Sequence, residues 1–139
     1  MPKGTKNTLS TSKVKCLFVE TTLMCQPCAK IDEEWISPFK VAPQCYQTLA
    51  ENDEWITGMM TMDPGATDPV HHHRDHLIYV LEGDEITIYP GGDESAGMVV
   101  PLQPNTGIPA PQAAPPFGKH FLKNSGKGVI KMLFFERKM

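Results

Sequence analysis

Along most of the chain, apolar positions come in short runs that alternate with polar ones, and glycine or proline breaks the pattern every few residues. That alternation has the period of a half-buried β-strand, and little of the chain carries the longer period of an amphipathic helix. Residues 14–19, β-branched and apolar, read as a first strand behind a polar, flexible arm over residues 1–13. Residues 31–36 fit one helical turn, which Pro38 is expected to stop. Residues 56–62 read as a strand that ends in the turn Asp63-Pro64-Gly65. Two more strands, 77–82 and 85–89, are joined tightly at Gly83-Asp84, and a turn over 90–93 leads to another at 98–102.

The stretch 101–116 holds six of the 13 prolines, which argues against a central strand and predicts an extended loop. Residues 128–136 form a strongly apolar closing strand. Short strands with regularly spaced turns predict an all-β sandwich or small barrel.

Composition narrows the class without naming a function. At 139 residues, with 40% hydrophobic and 21% charged positions, the chain is expected to be one globular domain over 14–139. A net charge of −3 with no basic block argues against nucleic acid and against an anionic membrane as partners. No apolar run approaches the roughly 20 residues of a membrane-spanning helix. The basic N-terminus has no apolar stretch behind it, so a cytoplasmic location is expected, with free thiols at Cys16, Cys25, Cys28 and Cys45. Cys25 and Cys28 have redox or zinc spacing, but no second pair and no βαβ pattern accompany them, so plain thiols are the preferred reading.

The candidate chemistry lies in the histidines. Four of the five, His71, His73, His76 and His120, occupy positions that can converge on one metal ion. On a strand, residues two apart point to the same side, so His71 and His73 would share a ligand sphere while His72 faces away, solvated. Arg74-Asp75 is short enough for a reversal that puts His76 at the mouth of the next strand, with Ile78, Val80 and Glu82 on its face and Leu77, Tyr79 and Leu81 on the other. His120 would arrive from a distant strand. Trp35, Trp55, Phe134 and Phe135 read as core or subunit-contact residues, Met59, Met60 and Met62 as core filling, and Glu82 as a solvated strand end.

These residues carry a resemblance. The chain resembles the cupins, small double-stranded β-helix barrels of jelly-roll type. The first cupin motif is a glycine, five residues, His-x-His, three or four residues, a glutamate, six residues and a glycine. Gly65, His71, His73 and Gly83 match it, and His76 stands at the glutamate position after two spacer residues. Counting forward from His73 instead would put Leu77 there and turn Tyr79 inward; a leucine cannot bind metal, so the count back from Gly83 is preferred. The second motif is matched by Pro116, Gly118, His120 and Asn124 with one spacer missing, and its leading glycine has a counterpart only at longer spacing, Gly107.

The resemblance spans about residues 59–135 and implies a cupin barrel with an N-terminal strand extension over 14–46. It implies one divalent transition metal held by His71, His73, His76 and His120, with Fe(II) favoured and Ni, Zn, Cu or Mn as alternatives. Neutral histidines without the glutamate leave the ion's full charge, which favours an anionic chelating small-molecule substrate. Within the family such all-histidine sites resemble those of dioxygenases. Oxygenase chemistry is therefore the expected function, with Tyr79 as a candidate catalytic acid. A metal-dependent isomerase, lyase or cyclase without oxygen, and a non-enzymatic ligand- or metal-binding barrel, are the alternatives. Cupin barrels commonly pair through N-terminal strands, so a homodimer is expected.

Overall fold

The computed structural model describes residues 13–20, 35–110 and 118–138. Cys25, Cys28 and the prolines beyond Ala110, and all but the last residue of the expected arm, lie outside the described residues.

Among the described residues eight strands form two antiparallel sheets. The larger has the order β1 (Tyr46–Glu51), β2 (Trp55–Met62), β8 (Ile130–Arg137), β3 (His76–Glu82), β6 (Thr106–Ala110). The smaller has the order β5 (Met98–Pro101), β4 (Glu85–Pro90), β7 (His120–Asn124). Alternation decides which side chains lie between the sheets. On β8 Ile130, Met132, Phe134 and Glu136 are buried while their neighbours are half-exposed, and on β2 Ile56, Gly58, Met60 and Met62 are buried. The smaller sheet contributes Ile86 and Leu122 to the same core. Met60 and Met62 thus fill the core as expected, while Met59 lies on the other, half-exposed face of β2; Cys45 joins the core as a free, buried thiol.

Three expectations are corrected. Residues 14–19 form no strand: with no neighbour to pair with among the described residues, β-propensity alone leaves Val14 and Phe18 about four-fifths exposed. The first strand among the described residues is instead β1, buried only at Tyr46 and without an apolar run to mark it in the sequence. Most of the helical turn expected over 31–36 lies outside the described residues, and Pro38 itself begins a helix, at the first position of the short α1 (Pro38–Val41), where its missing N–H and fixed φ cost nothing. The proline-rich stretch contains β6, which includes Pro109; β6 is the last strand of its sheet, where a proline can leave its missing donor on the unpaired side.

Two motif residues shape the path toward the histidines. In the turn Asp63-Pro64-Gly65-Ala66 the Ala66 N–H donates to the Asp63 carbonyl at 3.0 Å, and Gly65 has φ +79°, a type II turn that suits Pro then Gly. Buried Asn124 donates to the carbonyls of Met62 and Gly128, each at 2.9 Å, and accepts from the Gly126 N–H at 3.0 Å. It thereby ties β2 and the β7–β8 turn to β7.

Candidate metal centre

The chain after Gly65 leaves the larger sheet and runs antiparallel beside β7. The Asn124 N–H donates to the Ala66 carbonyl at 2.9 Å, the Asp68 N–H to that of Leu122 at 3.2 Å, and His71 and His120 exchange both backbone hydrogen bonds at 2.9 Å. That pairing sets the His71 and His120 side chains next to each other, ring centroids 4.6 Å apart. His71 and His73 do not share a regular strand; isolated bridges, Thr67 with Lys123 and His71 with His120, anchor the segment to β7. Even so, both rings turn inward.

His71, His73 and His120 are buried, and their candidate ligand atoms lie within 4.8 Å of one another. His76, the first residue of β3, lies outside that trio, but its ring stacks on that of His73 at 4.4 Å. Burial pushes all four imidazoles below the ordinary histidine value, His76 to about 4, so they are neutral at neutral pH.

A neutral imidazole has one N–H and one lone pair, and its partners decide which nitrogen carries which. The Nδ1 of His71 meets the Pro69 carbonyl at 2.8 Å, that of His76 the Arg74 carbonyl at 2.7 Å, and that of His120 the Gly118 carbonyl at 2.9 Å. A carbonyl only accepts, so these three rings carry the proton on Nδ1 and the lone pair on Nε2. His73 follows when its Nδ1 donates to the carboxylate of Glu136 at 2.8 Å. The Nε2 atoms of His71 and His73 then face each other at 3.1 Å.

Two lone pairs at that distance repel unless a cation lies between them. Nitrogens each about 2.1 Å from one ion and near a right angle to each other stand about 3 Å apart. The donor set therefore fits a divalent transition metal.

Two buried carboxyls back the cluster, and neither is flagged by the sequence reading. Glu136 also accepts from the Arg74 N–H at 2.7 Å, and burial raises it to about 7. Asp68 accepts from the Leu122 N–H at 2.6 Å and from the Tyr46 hydroxyl at 3.2 Å; burial raises it to about 6. Its Oδ2 stands 3.6 Å from His71 Nδ1, beyond hydrogen-bond range. Tyr46, fully buried, packs edge-on against His71, Phe39 and Phe134. Phe134 in turn stacks on both His73 and His76. The inward parity of 130, 132, 134 and 136 is the one sequence signal for Glu136; Asp68 and Tyr46 leave none.

Two residues lie elsewhere than the sequence suggests. His72 is not solvated: it is buried, its N–H and Nδ1 bonded to the backbone of Ile36 and its carbonyl to the Trp35 indole. Parity excludes it from the trio, but segment 35–37 covers the face it turns to. Tyr79 lies on the face of β3 opposite His76 and Val80, paired with Leu133 and Gly107, and the structure does not bring it to the histidines. Glu82, as expected, is exposed and pairs with Lys131 at 2.9 Å.

No family model matches the chain, and no curated protein matches it. Solved structures do. A cupin domain from Bordetella pertussis Tohama I is similar with a TM-score of 0.57 at 13% identity, over 68% of this chain and 92% of that one. A cupin superfamily protein from Desulfitobacterium hafniense DCB-2 is similar with a TM-score of 0.47 at 22% identity, over 66% and 74%. The chain has the cupin fold, a double-stranded β-helix, and inside it a histidine cluster that can hold a metal ion. Among the described residues no helix is long and apolar enough to cross a membrane.

Proposed function

We propose that the protein is a mononuclear metal-dependent cupin that acts on a small anionic or chelating organic molecule, and that its chemistry is that of an oxygenase using Fe(II). The observation that carries the metal is the 3.1 Å approach of the His71 and His73 Nε2 atoms, with His120 beside them. We assign His76 as a fourth donor, since it stacks on His73 and keeps its own Nδ1 bonded to Arg74.

The donors are neutral, so an anionic substrate is favoured at this site over a neutral one. When bound, the ion supplies Lewis acidity and, if it is iron, one-electron chemistry with oxygen. The chain's own part is to hold the donors and to exclude water. Phe134 walls two of the rings, and Tyr46 closes the site on the His71 side.

Oxygen uptake by the Fe(II)-loaded protein on a panel of diketones, thiols and phenols tests this reading. Uptake that His73→Ala abolishes supports it; no uptake on any of them removes the oxygenase and leaves a metal-dependent isomerase, lyase or cyclase. We further propose a homodimer, supported by the exposed apolar residues Val14 and Phe18; elution as a monomer of 15.4 kDa counts against it.

A further inference from the structure

We propose that Glu136 is the positioning residue of the metal centre: it holds His73 in its ligating tautomer and supplies from behind that ligand the negative charge that the motif lacks at His76. The inference rests on the metal reading above. His76 and Glu136 are direct cross-strand partners between β3 and β8. The carboxylate missing from position 76 is therefore present one strand away on the same inner face. It turns not into the ring of donors but to the Nδ1 of His73, at 2.8 Å.

Its second oxygen takes the Arg74 N–H at 2.7 Å, so one carboxylate fixes the side chain of one residue and the backbone of the next. Packing does not account for this group. The inward positions before it on β8 are Ile130, Met132 and Phe134, and an apolar side chain would continue that pattern without the desolvation of a carboxylate. A carboxylate on the far nitrogen of a metal-bound imidazole orients the ring and makes its lone pair more basic. Asp68 does not do the same for His71, whose Nδ1 donates to the Pro69 carbonyl at 2.8 Å and stands 3.6 Å from the nearer Asp68 oxygen.

Glu136→Gln separates this role from a structural clasp. His73 Nδ1 and the Arg74 N–H converge on the side chain, with the Trp35 indole as a further donor, and an amide has one acceptor oxygen where the carboxylate has two. If that oxygen takes the Arg74 N–H, the amide NH₂ faces His73 Nδ1 and imposes the tautomer whose Nε2 has no lone pair for a metal.

The test is Co(II) titration of the full-length, metal-free protein against a competing chelator, with the visible Co(II) bands and the melting of the metal-free forms recorded together. Glu136→Gln is expected to weaken Co(II) binding about 10- to 100-fold and to change the visible bands. Glu136→Asp is expected to recover part of that loss. Should Glu136→Gln fail to fold, the ¹⁵N–¹H correlation of the wild-type His73 ring decides: an Nδ1–H tautomer supports the proposal and an Nε2–H tautomer overturns it. Equal Co(II) affinity in wild type and Glu136→Gln overturns this inference alone, and a wild type that binds no Co(II) overturns the metal reading with it.

Discussion

His71 and His73 bring their Nε2 atoms to 3.1 Å of each other in the interior of the barrel, with the Nδ1 of each bonded on the outer side. The arrangement inverts what a hydrogen-bonded histidine pair would show, since neither nitrogen has a proton to offer the other. It leaves the pair poised for a cation, and His120 adds a third buried donor within 4.8 Å.

Metal binding should therefore stabilise the fold by mass action. A divalent ion at about 1,000 times its dissociation constant adds about 4 kcal/mol, which for a domain of this size raises the melting temperature by ~10 °C. Differential scanning fluorimetry of chelator-treated protein, with and without added metal, measures this. In His73→Ala the shift should disappear.

His76 should matter less than the trio. His76→Ala is expected to lower metal affinity on the order of tenfold, about 1.4 kcal/mol, while His71→Ala or His120→Ala abolishes stoichiometric binding. Calorimetric titration of the three variants checks the order. An unchanged affinity in His76→Ala would remove it from the donor set.

Phe134 links core and site, because its ring lies at 5.3 Å from that of His73 and 5.5 Å from that of Tyr46. Phe134→Ala should cost about 3–5 kcal/mol in urea unfolding and weaken metal binding as well. A variant with full affinity despite the lost stability would show that the rings do not depend on this wall.

Gly58 lies where α1 closes on the larger sheet. A Cβ there would overlap the Phe39 ring and meet the Gln47 carbonyl oxygen at 2.7 Å. Gly58→Ala is expected to destabilise by about 1–3 kcal/mol through overpacking, measured by urea denaturation, with no change in metal stoichiometry.

Metal-free protein should lose stability on acidification. His71, His73, His76 and His120 have folded values below the ordinary 6.5, His76 at about 4, so below 6.5 the unfolded chain takes up protons that the folded chain refuses. Asp68 and Glu136 act in the opposite sense. Raised to about 6 and about 7, they stabilise the fold most below their ordinary values and lose that contribution as pH rises through the raised ones. The histidines set the expected sign, a fall in stability from pH 6.5 toward 4, and the two carboxyls reduce its size. Urea midpoints of chelator-treated protein across that range test the sign.

The sequence made the histidines legible because their spacing is chemical. Gly65, His71, His73, Gly83, His120 and Asn124 keep their distances, and the turn at Gly65 and the bonds of Asn124 show why those residue types are needed. The strands of the inner core were legible from alternation. What stayed hidden depends on partners that a single chain does not display. The stretch 14–19 looks like a strand but has none to pair with among the described residues, whereas β6 looks like a loop because Pro109 and the prolines around the strand mask it. Glu136 reads as the polar end of an apolar strand until β3 is laid beside it, and His72 as a surface residue until segment 35–37 covers it.

X-ray absorption at the metal edge of protein loaded to saturation, read with its metal content, tests the central claim most directly. The account predicts one ion per chain with three or four imidazole nitrogens at about 2.0–2.2 Å and no sulfur. A protein that retains no stoichiometric ion, or one whose ion is bound through sulfur, would contradict it.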